Sequence, residues 1–218
     1  MKTTRLLPEN REFRINTIYC IGKNYADHAK EMGGDVPKEP VIFLKPNSAV
    51  ISNGDPIIIP AMSSNVHHEV ELTVLIGTGG KNIPLATAMR HVAGYGVGLD
   101  MTMRDRQSEA KKAGNPWAVS KGFDTSAPLS PFVAASSVPD PHALEISLSV
   151  NGTVRQRSST EHMIFRVDVL IAYLSSIFTL CEGDIIYTGT PEGVAQVVPG
   201  DVLEAVIPGV GSIRHSVQ

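Results

Sequence analysis

Cysteine is scarce in this chain. Cys20 and Cys181 are the only two in 218 residues, and neither has metal or redox spacing, which excludes a disulfide scaffold and a cysteine-based zinc module. Positive charge is not concentrated either. Nineteen Lys and Arg stand against twenty-two Asp and Glu, a net charge of -3, and without a basic block the footprint of a nucleic-acid binder is missing. Long apolar runs are also lacking. The longest, Val167 to Leu180, is interrupted by Asp168, Ser175 and Ser176 and falls short of the roughly 20 residues a membrane span needs; it predicts a core helix. The opening "MKTTRLLPENREFRIN" has no apolar signal core, and no repeat, low-complexity tract or linker interrupts the chain. These absences predict a small-molecule partner, no nucleic acid, no membrane, a reducing cytoplasm, and one domain over residues 1–218 with a short N-terminal extension over about 1–16.

What is present is an ordinary globular composition, 42% apolar and 19% charged, punctuated by 15 prolines and 19 glycines that mark turns. Strand-like runs occur at 41–44, 56–60, 66–77, 94–102, 144–156 with an Asn-Gly hairpin turn, 184–189 and 201–213. Helices are predicted at Tyr25 to Met32, stopped by Gly33-Gly34, at Pro84 to His91 and at Val167 to Leu180, with a short helical turn at Arg104 to Lys112. The expected fold is mainly β with a few helices, an α+β architecture.

The run "VHHEVELTVLIG", 66–77, raises the chemical question. Side chains alternate along a strand, so Glu69 and Glu71 share a face with Thr73, and Val70, Leu72 and Val74 take the other. On a solvated edge the two carboxylates would simply face water. In an interior strand they repel and need a counter-charge, for which a hard divalent ion with oxygen ligands is suited. Asp100, ending the apolar run "GYGVGLD", is the candidate third ligand. His67 and His68 are alternative soft-metal ligands, without a second His/Cys cluster to support them.

Six segments in fixed order, "IGKNYADHAKEMG", "EPVIFLKP", "HHEVELTVLIG", "GYGVGLDMTMRDRQ", "KGFDTSAPLSPF" and "EGDIIYTGTPEGV", resemble the fumarylacetoacetate hydrolase family, closest to its short members, acylpyruvate hydrolases and oxaloacetate decarboxylases. The resemblance implies a mixed β-sandwich roll, a homodimer, and Mg²⁺ or Mn²⁺, with Ca²⁺ as a substitute, held by Glu69, Glu71 and Asp100. It also implies a catalytic dyad of His28 and Glu31. Their i, i+3 spacing shares one helix face, so the carboxylate can orient the imidazole as a general base; without the resemblance such a pair reads as a surface pair. Lys121 would stabilise a developing enolate or bind a substrate carboxylate, and Arg104 and Gln107 would face the substrate, although Arg104 also fits a structural ion pair. Thr190 would cap a carboxylate at a strand-to-loop turn that is also a plausible plain turn, and Lys45 is similarly ambiguous. Residues from Tyr25 to about Lys38, with the Gly33-Gly34 hinge, suggest a lid.

The implied activity is divalent-metal-dependent cleavage of a C-C bond in a small 2-oxo or 2,4-dioxo acid through a metal-stabilised pyruvate enolate. Isomerisation, decarboxylation or tautomerisation of hydroxymuconate-like or oxaloacetate-like diacids is the enzymatic alternative, favoured if the pocket carries cations beyond Lys121 and Arg104. A non-catalytic, metal-dependent 2-oxo acid binder is the alternative outside enzymes.

Overall fold

A computed structural model of the chain describes residues 2–31, 33 and 35–218. Strands β1 (Thr3–Leu7) and β2 (Arg11–Arg14) form a hairpin, β3 (Ile18–Gly22) leads into helix α1 (Ala26–Glu31), and β4 (Val41–Lys45) and β5 (Val50–Ser52) follow. Next come β6 (Val66–His67), β7 (Val70–Ile76), β8 (Val92–Leu99), β9 (Thr102–Met103), helices α2 (Arg104–Ala113) and α3 (Ala118–Lys121), and strands β10 (Ala127–Leu129) and β11 (Phe132–Ala134). The last third holds β12 (Glu145–Val150), β13 (Thr153–Ser159), α4 (Val167–Ile177), β14 (Ile185–Tyr187), β15 (Gln196–Val197), β16 (Val202–Ile207) and β17 (Gly211–Ser216).

The main sheet runs β2-β1-β11-β8-β7-β14-β3-β4, with β10 joining β5 to β8. It is mixed: β1 with β11, β3 with β14 and β5 with β10 are parallel, the other pairs antiparallel. An antiparallel sheet, β13-β12-β16-β17, packs β12 against β7 and β16 and β17 against β8. A small third sheet is β15-β6-β9. The mainly β, mixed-sheet architecture expected from the sequence is therefore the one observed.

Strand β7 is buried on both faces. Val70, Leu72, Val74 and Ile76 enter the larger core between the sheets, while Leu75 joins a second core with Ile18, Cys20 and Tyr187. Each large apolar side chain buried here stabilises the fold by about 1.5–3 kcal/mol, enough to hold the acidic residue between them in the interior. Helix α4 presents Val167, Leu170, Ile171 and Leu174 to the larger core at helical spacing. Among the described residues, no helix is long and apolar enough to cross a membrane.

Several boundaries differ from the sequence reading. The run 66–77 is two strands, because β6 pairs with β9 and β15 whereas β7 pairs with β8 and β14. His68 and Glu69 occupy the crossing between sheets. Residues 56–60 are not a strand; only Ile57 forms a bridge, to Val217, since the flanking prolines have no amide to extend a ladder. Leu85–His91 is a 3-10 rather than an α-helix, with Thr87 N donating to Pro84 O. Helix α4 stops at Ile177 because Phe178 turns extended, allowing Leu180 to bridge Gly80. The expected turn at 104–112 is the full helix α2. Within the short N-terminal extension, residues 3–14 form a hairpin whose Leu6 and Leu7 pair with Phe132 and Val133. The Asn-Gly hairpin is present, with positive φ at Asn151 (51°) and Gly152 (78°). Met32 and Gly34, parts of the expected helix end and hinge, lie outside the described residues.

Candidate active site

The β7–β8 register brings the acids together. Val70 pairs with Leu99 and Glu71 with Gly98, so one step further along the ladder Glu69 meets Asp100, whose amide donates to the Glu69 carbonyl at 2.9 Å. The carboxylates of Glu69, Glu71 and Asp100 are buried and offer oxygens all within 4.8 Å of one another.

Three cations surround this cluster. Lys121 Nζ, at the end of α3, lies 2.8 Å from Glu69 Oε2, 2.5 Å from Asp100 Oδ2 and 2.6 Å from Thr102 Oγ1. The Arg104 guanidinium, at the start of α2, pairs with Glu69 Oε1 and donates to Gln107 Oε1 at 2.7 Å. Lys45 Nζ, fully buried, sits 2.8 Å from Asp100 Oδ1 and donates to the carbonyl of Lys121.

Glu71 is treated differently. It accepts from the Gly189 amide at 2.7 Å and has no ion-pair partner among the described residues. Gly189 has a φ of 98°, and a Cβ built there would lie 2.6 Å from Asn24 Cβ, so glycine is what allows this close approach. Burial, then the charges of Asp100 and Glu69, push Glu71 well above the usual carboxylate range. For Glu69 burial acts in the same upward direction, but Lys121, Arg104 and His28 overcome it and hold the group well below that range. Burial raises Asp100 despite Lys121 and Lys45. Burial would lower Lys121, yet Asp100 and Glu69 keep it raised. Convergent buried oxygens, one of them on an acid without a cation, form a hard-donor set that fits a divalent ion.

A cavity opens over the cluster, lined by Glu69, Glu71, His28, Arg104, Gln107, Lys121 and Thr190 among others. On α1, His28 is buried and its Nδ1 lies 3.1 Å from Glu31 Oε2. In the neutral ring this bond keeps the proton on Nδ1 and leaves Nε2 as the basic nitrogen. The Glu31 carboxylate also accepts from the Gly193 amide at 3.1 Å, tying α1 to the loop after β14.

Those seven lining residues were all expected at the site from the sequence. Of the other three, Glu31 stands directly behind the wall as the partner of His28, and Asp100 joins the acid cluster beneath. Lys45 is the exception. Expected among the substrate-binding residues, it is fully buried against Asp100 and is not among the residues that line the cavity, so it serves as a counter-charge to that acid. Nor do His67 and His68 join the cluster: His67 Nε2 is 2.9 Å from Asn65 Oδ1, and His68 Nδ1 is 2.9 Å from Gln156 Oε1.

Sequence reasoning passes over Gln156. Its Oε1 also accepts from the Val70 amide at 3.1 Å, between the two glutamates, and its Nε2 donates to Thr190 Oγ1 at 2.8 Å. The legible signal is a glutamine in a strand, buried between exposed Arg155 and Arg157. Lys111 is also missed, although its spacing from Arg104 and Gln107 puts it on the same face of a helix.

Residues 17–218 match the family described as fumarylacetoacetate (FAA) hydrolase C-terminal. The chain is 50% identical, over 100% of its length and 98% of the relative's, to the protein named oxaloacetate tautomerase FAHD1, mitochondrial, of Rattus norvegicus. Its structure is similar to that of fumarylpyruvate hydrolase from Pseudomonas aeruginosa in complex with Mn²⁺ and pyruvate, with a TM-score of 0.96, 42% identity, and 99% and 95% of the two chains covered. It is also similar to 5-carboxymethyl-2-hydroxymuconate delta-isomerase from Mycobacterium smegmatis, with a TM-score of 0.84, 41% identity, and 94% and 79% covered. With a family match over nearly the whole chain, the chain belongs to the fumarylacetoacetate hydrolase family.

Proposed function

We propose that this chain is an enzyme acting on small 2-oxo acids, moving a proton at C3 or breaking the C3-C4 bond, with the pyruvate-like enolate as the common species. The observation that carries this reading is that a histidine oriented by a carboxylate, His28 with Glu31, faces the same cavity as three convergent buried acids. A divalent cation, Mg²⁺ or Mn²⁺, held by Glu69, Glu71 and Asp100 would supply Lewis acidity at the 2-oxo group. Arg104, Gln107 and Thr190 would bind and orient the substrate's carboxylate end. His28 Nε2 would take the proton from C3 in a tautomerisation, as suits a chain half identical to a protein named oxaloacetate tautomerase.

Hydrolysis is the second reading, favoured by the likeness to fumarylpyruvate hydrolase. There His28 would take a proton from water as it attacks the C4 carbonyl of an acylpyruvate. The C3-C4 electron pair would pass to the enolate, whose negative charge Lys121 would stabilise from the cavity wall. Decarboxylation of oxaloacetate would release C4 as carbon dioxide and use the same enolate. Lys45 would position Asp100 and Lys121 rather than touch substrate.

A single catalytic domain, a homodimer and a cytoplasmic setting complete the proposal; the two unpaired thiols, Cys20 and Cys181, fit a reducing compartment. The test is parallel assay of oxaloacetate, acetylpyruvate, fumarylpyruvate and a hydroxymuconate-type diacid with Mg²⁺ or Mn²⁺ and after chelation. Metal-dependent turnover of at least one supports an enzyme. Binding of 2-oxo acids without turnover of any would make the chain a binding protein instead.

A further inference from the structure

The cavity carries two lysines that none of its acids engages. Besides Arg104 and Lys121, both paired with Glu69, its lining includes Lys23 and Lys111. Neither lysine forms an ion pair among the described residues.

Both are held in place by the fold. Arg104, Gln107 and Lys111 stand three and four residues apart on α2, so they form one stripe along the helix, from the acid cluster at Arg104 outward to Lys111. Lys111 Nζ lies over the Trp117 ring, 5.3 Å from its centroid, a cation-π contact that fixes the ammonium. Trp117 is itself braced, its ring 5.8 Å from that of Phe43, and it packs at Gly22, where a Cβ would meet its Cζ3 at 3.6 Å. Lys23 follows Gly22 directly and has a φ of 57°, a left-handed backbone that a lysine adopts at a cost. Trp117 therefore connects the two lysine-bearing segments. Burial first, and then the neighbouring charges of Arg104, Lys23 and Lys121, push the Lys111 ammonium below its ordinary range.

We infer that Lys23 and Lys111 form a subsite for a second, distal carboxylate of the substrate, so that the cavity selects 2-oxo diacids over 2-oxo acids with an uncharged tail. This rests on the reading of the acid cluster and His28 as a 2-oxo acid site, and adds what decides between members of that class. A dianion would bring one carboxylate to the acid-cluster end of the α2 stripe and the other to its Lys111 end. Its second charge would pair with the two lysines that the cavity's acids leave unengaged.

The test compares a diacid with a neutral-tailed substrate in the same enzyme. Lys111→Met keeps the aliphatic stem on Trp117 and removes only the charge; Lys23→Met removes the second charge from the cavity lining. In each, the ratio of kcat/KM for fumarylpyruvate to that for acetylpyruvate should fall about tenfold to a hundredfold, the usual worth of a hydrogen bond to a charged group, mainly through KM. Lys111→Arg should restore most of the ratio. A ratio unchanged in both methionine variants, or equal losses on the two substrates, overturns the subsite. A second readout does not depend on turnover: calorimetry in Mn²⁺ buffer should show 2-oxoglutarate binding weakened at least about fivefold relative to pyruvate in Lys111→Met. If wild type turns over neither acylpyruvate, the hydrolytic reading fails while turnover of oxaloacetate still tests the enzymatic one, and this relative affinity alone decides the subsite: a fall supports it, and equal affinities overturn it.

Discussion

Glu69 and Asp100 face each other one step beyond the last rung of the β7–β8 ladder and share one ammonium, that of Lys121, at 2.8 and 2.5 Å. The backbone bond between them, 2.9 Å from Asp100 N to Glu69 O, makes this pairing a property of strand register rather than of side-chain choice. Lys121 and Lys45 grip Asp100 from two sides, and Arg104 takes the remaining oxygen of Glu69. Glu71 is thus the acid left with its charge unbalanced.

Glu71→Gln follows from that imbalance. The amide still accepts from Gly189 but no longer offers a charge to a cation. Mn²⁺ affinity by calorimetry should fall about a hundredfold or more, beyond what loss of an outer partner costs a metal site. Because ionising a group with a raised folded-state pKa destabilises the fold, the metal-free variant should melt higher than metal-free wild type near neutral pH. Unaltered Mn²⁺ binding would remove Glu71 from the metal site.

His28→Ala should separate the chemistries. General-base catalysis contributes about 10² to 10⁴ in rate, so tautomerisation and acylpyruvate hydrolysis should each lose that factor in kcat. Decarboxylation of oxaloacetate, which chiefly needs an electron sink, should lose less, while Lys121→Ala should impair both hydrolysis and decarboxylation. Equal losses for all three reactions in His28→Ala would mean that His28 is not chiefly a base.

Gln156→Ala should destabilise the protein by about 2–4 kcal/mol in urea unfolding, since it strands the Val70 amide, His68 and the Thr190 hydroxyl together in the interior. A loss below about 1 kcal/mol would mean that these groups find other partners.

His67 sets a pH dependence of stability. Burial, and then Arg104, lower its pKa from 6.5 to about 4. A depressed folded-state pKa means that the neutral ring is favoured in the fold, so the contribution is complete above about 6.5 and is lost as pH falls toward and through about 4. Melting temperatures measured across that window should decline less steeply in His67→Gln than in wild type. Parallel curves would assign the decline to other groups.

Much of the site is legible in local sequence patterns. Alternation along 70–76 puts Val70, Leu72 and Val74 on one face and Glu71 and Thr73 on the other, because the pleat of a strand dictates it, and the folded β7 obeys. The i, i+3 spacing of His28 and Glu31 sets them on one helix face and so permits the hydrogen bond that they make, although the burial of His28 at the cavity is not written in that spacing. The Asn-Gly turn and the acid at the end of "GYGVGLD" are likewise local signals. What the sequence could not disclose depends on non-local pairing. The change of sheet at His68 and Glu69 arises from which strands β6 and β7 meet, and nothing in the run itself records those partners. The placement of Lys45 against Asp100, and not in the cavity lining, follows from the β3–β4 pairing and the position of α3. The convergence of Lys23 and Lys111 required Gly22 and Trp117, 95 positions apart in the chain, to come into contact. Local periodicity determined which side chains share a face; long-range strand register and packing decided what each face meets.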